Sequence, residues 1–248
     1  MSDEQQHTAT FWEHLDELRS CIIRSLAVVM VTAIAAFCMK DELFAIVLAP
    51  HSSDFITYRL MGVEHFVVEL MNIGLTEQFM THMRVAFYAG LLIASPYVLY
   101  QLFGFIAPGL YQQERKAAVW ITTSAYVMFI LGTLLNYFLI FPLTVRFLGT
   151  YQVSSDVANM LSLQSYIDTL IGMSFIMGVV FELPVVCAIL GRIGIINRSL
   201  MKQFRRHAIV AILIASAIIT PTTDAFTLFI VAMPIWLLYE ISILLVRQ

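Results

Sequence analysis

Six apolar stretches, separated by turns rich in polar residues, proline or glycine, organise this chain. They cover residues 21–39, 85–106, 117–141, 166–190, 208–220 and 226–246. The first four are long enough to cross roughly 30 Å of hydrocarbon as helices rising about 1.5 Å per residue. The fifth has about thirteen residues and reaches only about 20 Å. Either it dips partway into the membrane or the bilayer thins around it. Thr220-Pro221-Thr222-Thr223-Asp224 turns it into the sixth stretch. The pattern predicts an all-α membrane protein, a single domain over residues 1–248. It would have six transmembrane helices, with the fifth and sixth spans short.

The loop from about 40 to 84 is long. Pro50 lies near its start, and its middle is still apolar (Phe66, Val67, Val68, Leu70, Met71, Ile73), interrupted by Glu64 and Glu69. It is expected to form short helices lying at the outer interface as a helical cap. Pro50, and Asp224 in the last turn, are the structural residues expected on that face.

Charge sets the orientation, because basic residues collect on the cytoplasmic side. With the N-terminus inside, the cytoplasmic set is Arg19, Arg24, Arg115, Lys116, Arg192, Arg198, Lys202, Arg205, Arg206 and Arg247. Only Lys40, Arg59, Arg84 and Arg146 face out, ten against four. Both termini are then cytoplasmic. Most remaining acids, including Asp41, Glu42, Asp54, Glu64, Glu69, Glu77, Asp156 and Asp168, fall outside.

Composition agrees with the membrane class: 60% of residues are hydrophobic and 12% charged, a balance foreign to soluble domains. The net charge of −3 points to no nucleic acid. Cys21, Cys38 and Cys187 lie in apolar stretches and read as small hydrophobes. Residues 1–20 are polar and no small-residue cleavage site follows the first apolar run, so that run is expected to remain as a span.

Catalytic patterns are missing. There is no HExxH, no GxSxG and no Gly-rich phosphate loop. The six histidines lie at segment ends or in loops, without metal-ligand spacing. Neither enzyme activity nor a cofactor is expected.

Three polar features remain. Phe11, Leu15 and Leu18 recur at i, i+4 and i+7 beside Trp12, giving an amphipathic helix ahead of the first span. Its polar side carries Glu13, Asp16, Glu17 and Arg19, either as a solvated face or as a carboxylate site for a cation. Next, Tyr100 to Arg115 runs YQLFGFIAPGLYQQER. Pro108-Gly109 breaks the helix, and Tyr111, Glu114, Arg115 and Lys116 follow where a span meets water. Finally, Glu182 sits inside the fourth apolar stretch beside Pro184. An ionised carboxylate at mid-span costs about 2.5–3.5 kcal/mol on insertion scales. Glu182 is either protonated and hydrogen-bonded within the bundle or lines a groove that takes a polar group of a partner span.

The order and spacing of these features resemble the TatC family, the receptor component of the twin-arginine protein translocase. His14-Leu15-Asp16-Glu17-Leu18-Arg19 fits the family's entry pattern His-Leu-x-Glu-Leu-Arg. Phe105, Pro108, Leu110, Glu114 and Arg115 fit Phe-x-x-Pro-x-Leu-x-x-x-Glu-Arg. Phe181, Glu182 and Pro184 fit Phe-Glu-x-Pro. Ala94-Ser95-Pro96, Leu99-Tyr100-Gln101, Phe141-Pro142-Leu143, Pro234 and Tyr239-Glu240 agree as well.

The resemblance implies a set of roles. Glu17 and Glu114 match the carboxylates that bind the twin-arginine motif of signal peptides at the cytoplasmic face. Arg19, Phe105 and Arg115 match their neighbours. Glu182 with Pro184 matches an intramembrane groove that receives single-span TatA- or TatB-type subunits. The implied setting is the bacterial cytoplasmic (inner) membrane, among its lipids, as a homo-oligomer within a hetero-complex. One departure concerns the last hairpin: the family commonly has Gln four residues after the Asp, where Leu228 stands here. Two other classes compete. A small-solute secondary transporter would show related halves with interrupted helices, and none is visible. An intramembrane hydrolase would need the missing catalytic motifs.

Overall fold

The computed structural model describes residues 11–62, 66, 69–106, 115–151, 160–220 and 224–246, with the backbone alone at 11–14, 106 and 115–118. Helix α1 (Phe11–Cys38) is continuous, so the amphipathic segment and the first span are one helix. Helices α2 (Lys40–Leu48) and α3 (Ile56–Leu60) flank a tight turn at Ala49–His51. After strand β1 (Glu69–Met71) comes α4 (Glu77–Ile106). Helix α5 (Arg115–Leu135) runs through a π-bulge at Asn136–Ile140 into α6 (Phe141–Thr150). Strand β2 (Met160–Ser162) precedes α7 (Leu163–Val180) and α8 (Leu183–Arg192). The chain closes with α9 (Arg198–Gln203), α10 (Arg205–Ile219) and α11 (Ala225–Leu245).

Five described stretches are long and apolar enough to cross a membrane: Leu15–Cys38, Glu77–Phe105, Val119–Thr150, Leu163–Arg192 and Ala225–Leu245. Their outward faces are apolar, as lipid contact requires, with Val31 and Leu244 more than two-thirds exposed. Helix α10 has 15 residues, about 22 Å, and is short as expected. The expected shortness of the last span is corrected. Helix α11 has 21 residues, about 32 Å, because Asp224 caps it directly after the turn: its Oδ1 accepts from the Thr227 amide at 2.7 Å.

The fold is predominantly helical as expected, with one addition that the hydropathy pattern did not predict, a short two-stranded parallel sheet. β1 pairs with β2 in the register Glu69–Met160, Leu70–Leu161 and Met71–Ser162. It joins the 40–84 loop to the entry of α7. The expected cap does contain helices, α2 and α3, but it is pinned by strand pairing and by polar contacts. Glu77 makes most of these. Its Oε2 accepts from the amides of Ile73 (3.0 Å) and Gly74 (2.9 Å), and its Oε1 from Ser162 Oγ (3.1 Å) and the Gln164 amide (2.9 Å).

Prolines explain how the cap docks. Pro142 has no N–H, so the Phe138 carbonyl loses its helical donor. That carbonyl accepts the Thr57 hydroxyl of α3 instead. Next to Thr57, the fully buried Tyr58 donates its hydroxyl to the carbonyls of Pro50 (3.0 Å) and Pro142 (2.8 Å). Burial raises the phenol's pKa, against a lowering by Arg146, so it stays a donor. Pro50 is itself buried in the tight turn. Tyr58→Phe leaves both carbonyls without this donor and is expected to cost about 1–3 kcal/mol. Thermal unfolding in detergent measures it, and an unchanged midpoint would show that the cap does not depend on this hydroxyl.

Candidate functional site

The sequence places two carboxylate motifs near Glu17 and Glu114, and the helix packing decides whether they meet. Helices α1 and α4 run antiparallel. Phe37 stacks on His82 at 4.0 Å between ring centroids near the cap. Further along, Gly90 lies so close to α1 that an added Cβ would be 2.5 Å from the Ala33 nitrogen. Thr32 donates its hydroxyl to the Gly90 carbonyl at 2.8 Å. From this contact, Glu17 lies back along α1 and Phe105 lies on along α4, each by a little over four helical turns, roughly 22–24 Å. Because the helices are antiparallel, both displacements point the same way. Register therefore brings Glu17 and Phe105 to one level, at the end opposite the cap.

There Asp16, Glu17 and Arg19 are exposed on the first turns of α1, and Phe105 is half-buried. Pro108, Gly109, Tyr111 and Glu114 lie outside the described residues, as do the side chains of Arg115 and Lys116. The backbone of α5 begins at Arg115, and α4 and α5 pack together through Leu99, Phe103, Ala125 and Phe129, with Val185 and Ile189 of α8. Three helix ends thus converge: the start of α1, the end of α4 and the start of α5. This arrangement can present a carboxylate on α1 to an arriving cation without burying it.

Glu182 stands elsewhere. Pro184 lacks the N–H that would bond the Val180 carbonyl, so the helix breaks at Phe181-Glu182 and restarts as α8. Both carboxyl oxygens of Glu182 are shielded and without a hydrogen-bond partner among the described residues. A buried polar group left unpaired is costly, which makes it a place for an incoming donor. Pro184 lines a groove of about 320 Å³ bounded by α5, α8 and α11, and Glu182 is not among that groove's lining residues. Asp224 is the α11 cap already described, and Leu228 is half-buried on the first turn of α11.

A further polar cluster was not singled out from the sequence. In the π-bulge, Asn136 is fully buried and donates from Nδ2 to Ser174 Oγ at 2.8 Å. Its Oδ1 has no partner among the described residues, and the half-buried Tyr88 lies against Thr133 and Ser174 of the same cluster. Asn136 in the third apolar run was the available signal, since an amide at that depth needs partners. No group of three or more His, Cys, Asp or Glu that could hold a metal occurs among the described residues.

Comparison with known proteins supplies the remaining evidence. Residues 13–234 match the family model of the Sec-independent protein translocase protein (TatC). A Sec-independent protein translocase protein TatC from Deinococcus radiodurans is 35% identical over 97% of this chain and 86% of its own length. One from Blattabacterium is 31% identical over 96% of this chain and 95% of its own. Two crystal structures of the twin arginine translocase receptor TatC are similar throughout. One has a TM-score of 0.77 and 33% identity, covering 94% of this chain and 97% of its own. The other, in DDM, has a TM-score of 0.80 and 32% identity, covering 95% and 100%.

Proposed function

The chain belongs to the TatC family of Sec-independent protein translocase proteins, and from that premise we propose that it is the core receptor subunit that reads twin-arginine signal peptides. Its family is a non-enzymatic component of a protein-transport machine, and its apolar helices make it a multi-pass membrane protein. Beyond that, the peptide would bind at Glu17 and Glu114, with Arg19, Phe105 and Arg115 around them. The observation that carries this is the register of α1 on α4, which sets Glu17 level with Phe105 in the motif that leads to Glu114. We take α10 as the sixth span and the Glu17 end as cytoplasmic, supported by the ten-to-four bias of basic residues. The membrane would be the bacterial inner membrane. Glu182 with Pro184 would receive a single-span TatA- or TatB-type subunit, within a hetero-complex holding several copies of this chain.

The chemistry suits an arginine pair. A guanidinium fork binds a carboxylate with two parallel hydrogen bonds, which an ammonium cannot do. Each hydrogen bond to a charge is worth about 1.5–3 kcal/mol when sheltered, against roughly 0–1 for an exposed ion pair. Two sheltered pairs form a useful fraction of micromolar binding, about 8 kcal/mol. Glu17→Ala and Glu114→Ala are each expected to weaken photocrosslinking of a twin-arginine peptide to the purified protein roughly ten-fold or more. A Lys-Lys peptide should compete far less well. Full crosslinking in both variants would reject the site, and equal competition by the lysine peptide would reduce recognition to net charge.

A further inference from the structure

On the cap side, α2 and the first turns of α4 border a cavity of about 460 Å³, within the range that holds small organic ligands. Helical spacing sets its α2 wall. Lys40, Phe44 and Leu48 recur every four residues and all line it. Gln78, Phe79 and His82 form the α4 wall, again within one helical turn of each other. Phe79 is more than half exposed, so the cavity is open on the lipid side. The lining is mostly apolar, with three polar side chains set into it: Lys40, Gln78 and His82.

All three can donate hydrogen bonds. His82 is nine-tenths buried and held by its neighbours: it stacks on Phe37, and Phe44 meets it edge-on with ring centroids 5.6 Å apart. Its Nε2 has no hydrogen-bond partner among the described residues, which is costly at that burial unless a ligand supplies one. Lys40 makes no ion pair and Gln78 no side-chain hydrogen bond among the described residues. The first apolar span ends at Cys38 and Lys40 opens α2, so its ammonium stands at headgroup level. His82 lies one turn of α4 deeper than Gln78, about 6 Å. Asp41, three residues before Phe44, is on the cavity side of α2, whereas Glu42 points to the opposite side. A cation and a carboxylate therefore flank the mouth, and donors follow at increasing depth.

We propose that this cavity binds a phospholipid with a primary-amine headgroup, phosphatidylethanolamine, from the leaflet on the cap side. The phosphate sits on the Lys40 ammonium and the headgroup amine donates to the Asp41 carboxylate. The ester carbonyls accept from Gln78 and His82, and an acyl chain runs over Phe44, Leu48 and Phe79. Each donor then meets an acceptor, and the two headgroup contacts are charge-assisted. Phosphatidylglycerol brings no cation to Asp41, and the quaternary ammonium of phosphatidylcholine has no N–H to donate. The site does not depend on the peptide-reading role proposed for Glu17 and Glu114.

The test is native mass spectrometry of the purified full-length chain with phosphatidylethanolamine, phosphatidylcholine and phosphatidylglycerol of the same acyl chains. Wild type is expected to retain phosphatidylethanolamine above the other two. Lys40→Gln should retain it about five-fold less well, the effect of one cation near a headgroup. Asp41→Asn should bring phosphatidylethanolamine down to the level of phosphatidylcholine. His82→Phe keeps an aromatic ring against Phe37 and removes Nε2, so it should weaken both of these lipids alike. Arg59→Gln, at an exposed cation of α3 that does not line the cavity, should bind as wild type. Gel filtration checks the fold of each variant. Unchanged retention in Lys40→Gln or in His82→Phe overturns the proposal. Equal losses in Lys40→Gln and Arg59→Gln overturn it too, by showing diffuse attraction without a seat. So does a wild type that holds phosphatidylcholine or phosphatidylglycerol as strongly, or a preference that survives Asp41→Asn.

Discussion

Gly90→Leu is expected to abolish signal-peptide crosslinking although it lies far from either carboxylate motif. A Cβ at Gly90 would be 2.5 Å from the Ala33 nitrogen and 2.6 Å from its Cα. These are backbone atoms of α1, so no side chain can rotate away. Overpacking of this kind costs about 1–3 kcal/mol, occasionally more, and separating the helices also loses the Thr32–Gly90 hydrogen bond. Small residues let membrane helices approach, because packing drives their association in lipid. Even Gly90→Ala should lower the melting temperature by roughly 5 °C for a chain of this size. Leucine should move α1 off α4, so Glu17 no longer stands level with Phe105. Gly172→Ala is the control, since nothing lies within 4 Å of a Cβ there. Melting curves and peptide crosslinking of the three variants decide the matter. If Gly90→Leu crosslinks like wild type, the α1–α4 register does not set the site.

What the sequence disclosed follows from which forces are local. Runs of apolar residues showed the spans, but α4 begins at Glu77, two turns upstream of the expected start at Val85. Glu77, Gln78, Thr81, His82 and Arg84 interrupt the hydropathy there, and two of them, Glu77 and Arg84, are met by long-range partners. Glu77 bonds to Ser162 and Gln164, and Arg84 pairs with Asp168 across to α7. Such partners, a third of the chain away, leave no local trace. The same holds for β1 and β2, each three residues long. Pro142 suggested an end to the third span at 141, whereas the helix continues to Thr150. The π-bulge absorbs the lost hydrogen bond and the Thr57 hydroxyl takes the freed carbonyl. In contrast, Glu182 was legible because a carboxyl inside an apolar run is rare enough to stand alone as a signal. Glu17, Phe105 and Glu114 were singled out through motif spacing; the backbone contact at Gly90 is what brings Glu17 and Phe105 to one level, and Glu114 lies outside the described residues.

Glu182→Ala is expected to lose most export activity, while Glu182→Gln keeps much of it. Both Glu182 oxygens are shielded and without a hydrogen-bond partner among the described residues, at the break between α7 and α8. If the side chain exists to hydrogen-bond a partner span, an amide of the same size retains an acceptor at that position. Alanine removes the acceptor and leaves the partner's polar group unpaired in hydrocarbon, a loss of about 1–2 kcal/mol in membrane settings, or roughly five- to thirty-fold in association. If the residue instead carries protons, Gln should be as inactive as Ala, because an amide does not titrate. Peptide crosslinking should survive both changes. Glu182 is on the α7–α8 break and not on the α1, α4 and α5 ends that gather Glu17 and Phe105. Export, co-purification of the single-span subunit and peptide crosslinking are measured for wild type, Gln and Ala. Loss of crosslinking with co-purification intact would mean that the two sites have exchanged roles, with Glu182 serving the peptide and the α1–α4 end serving the partner.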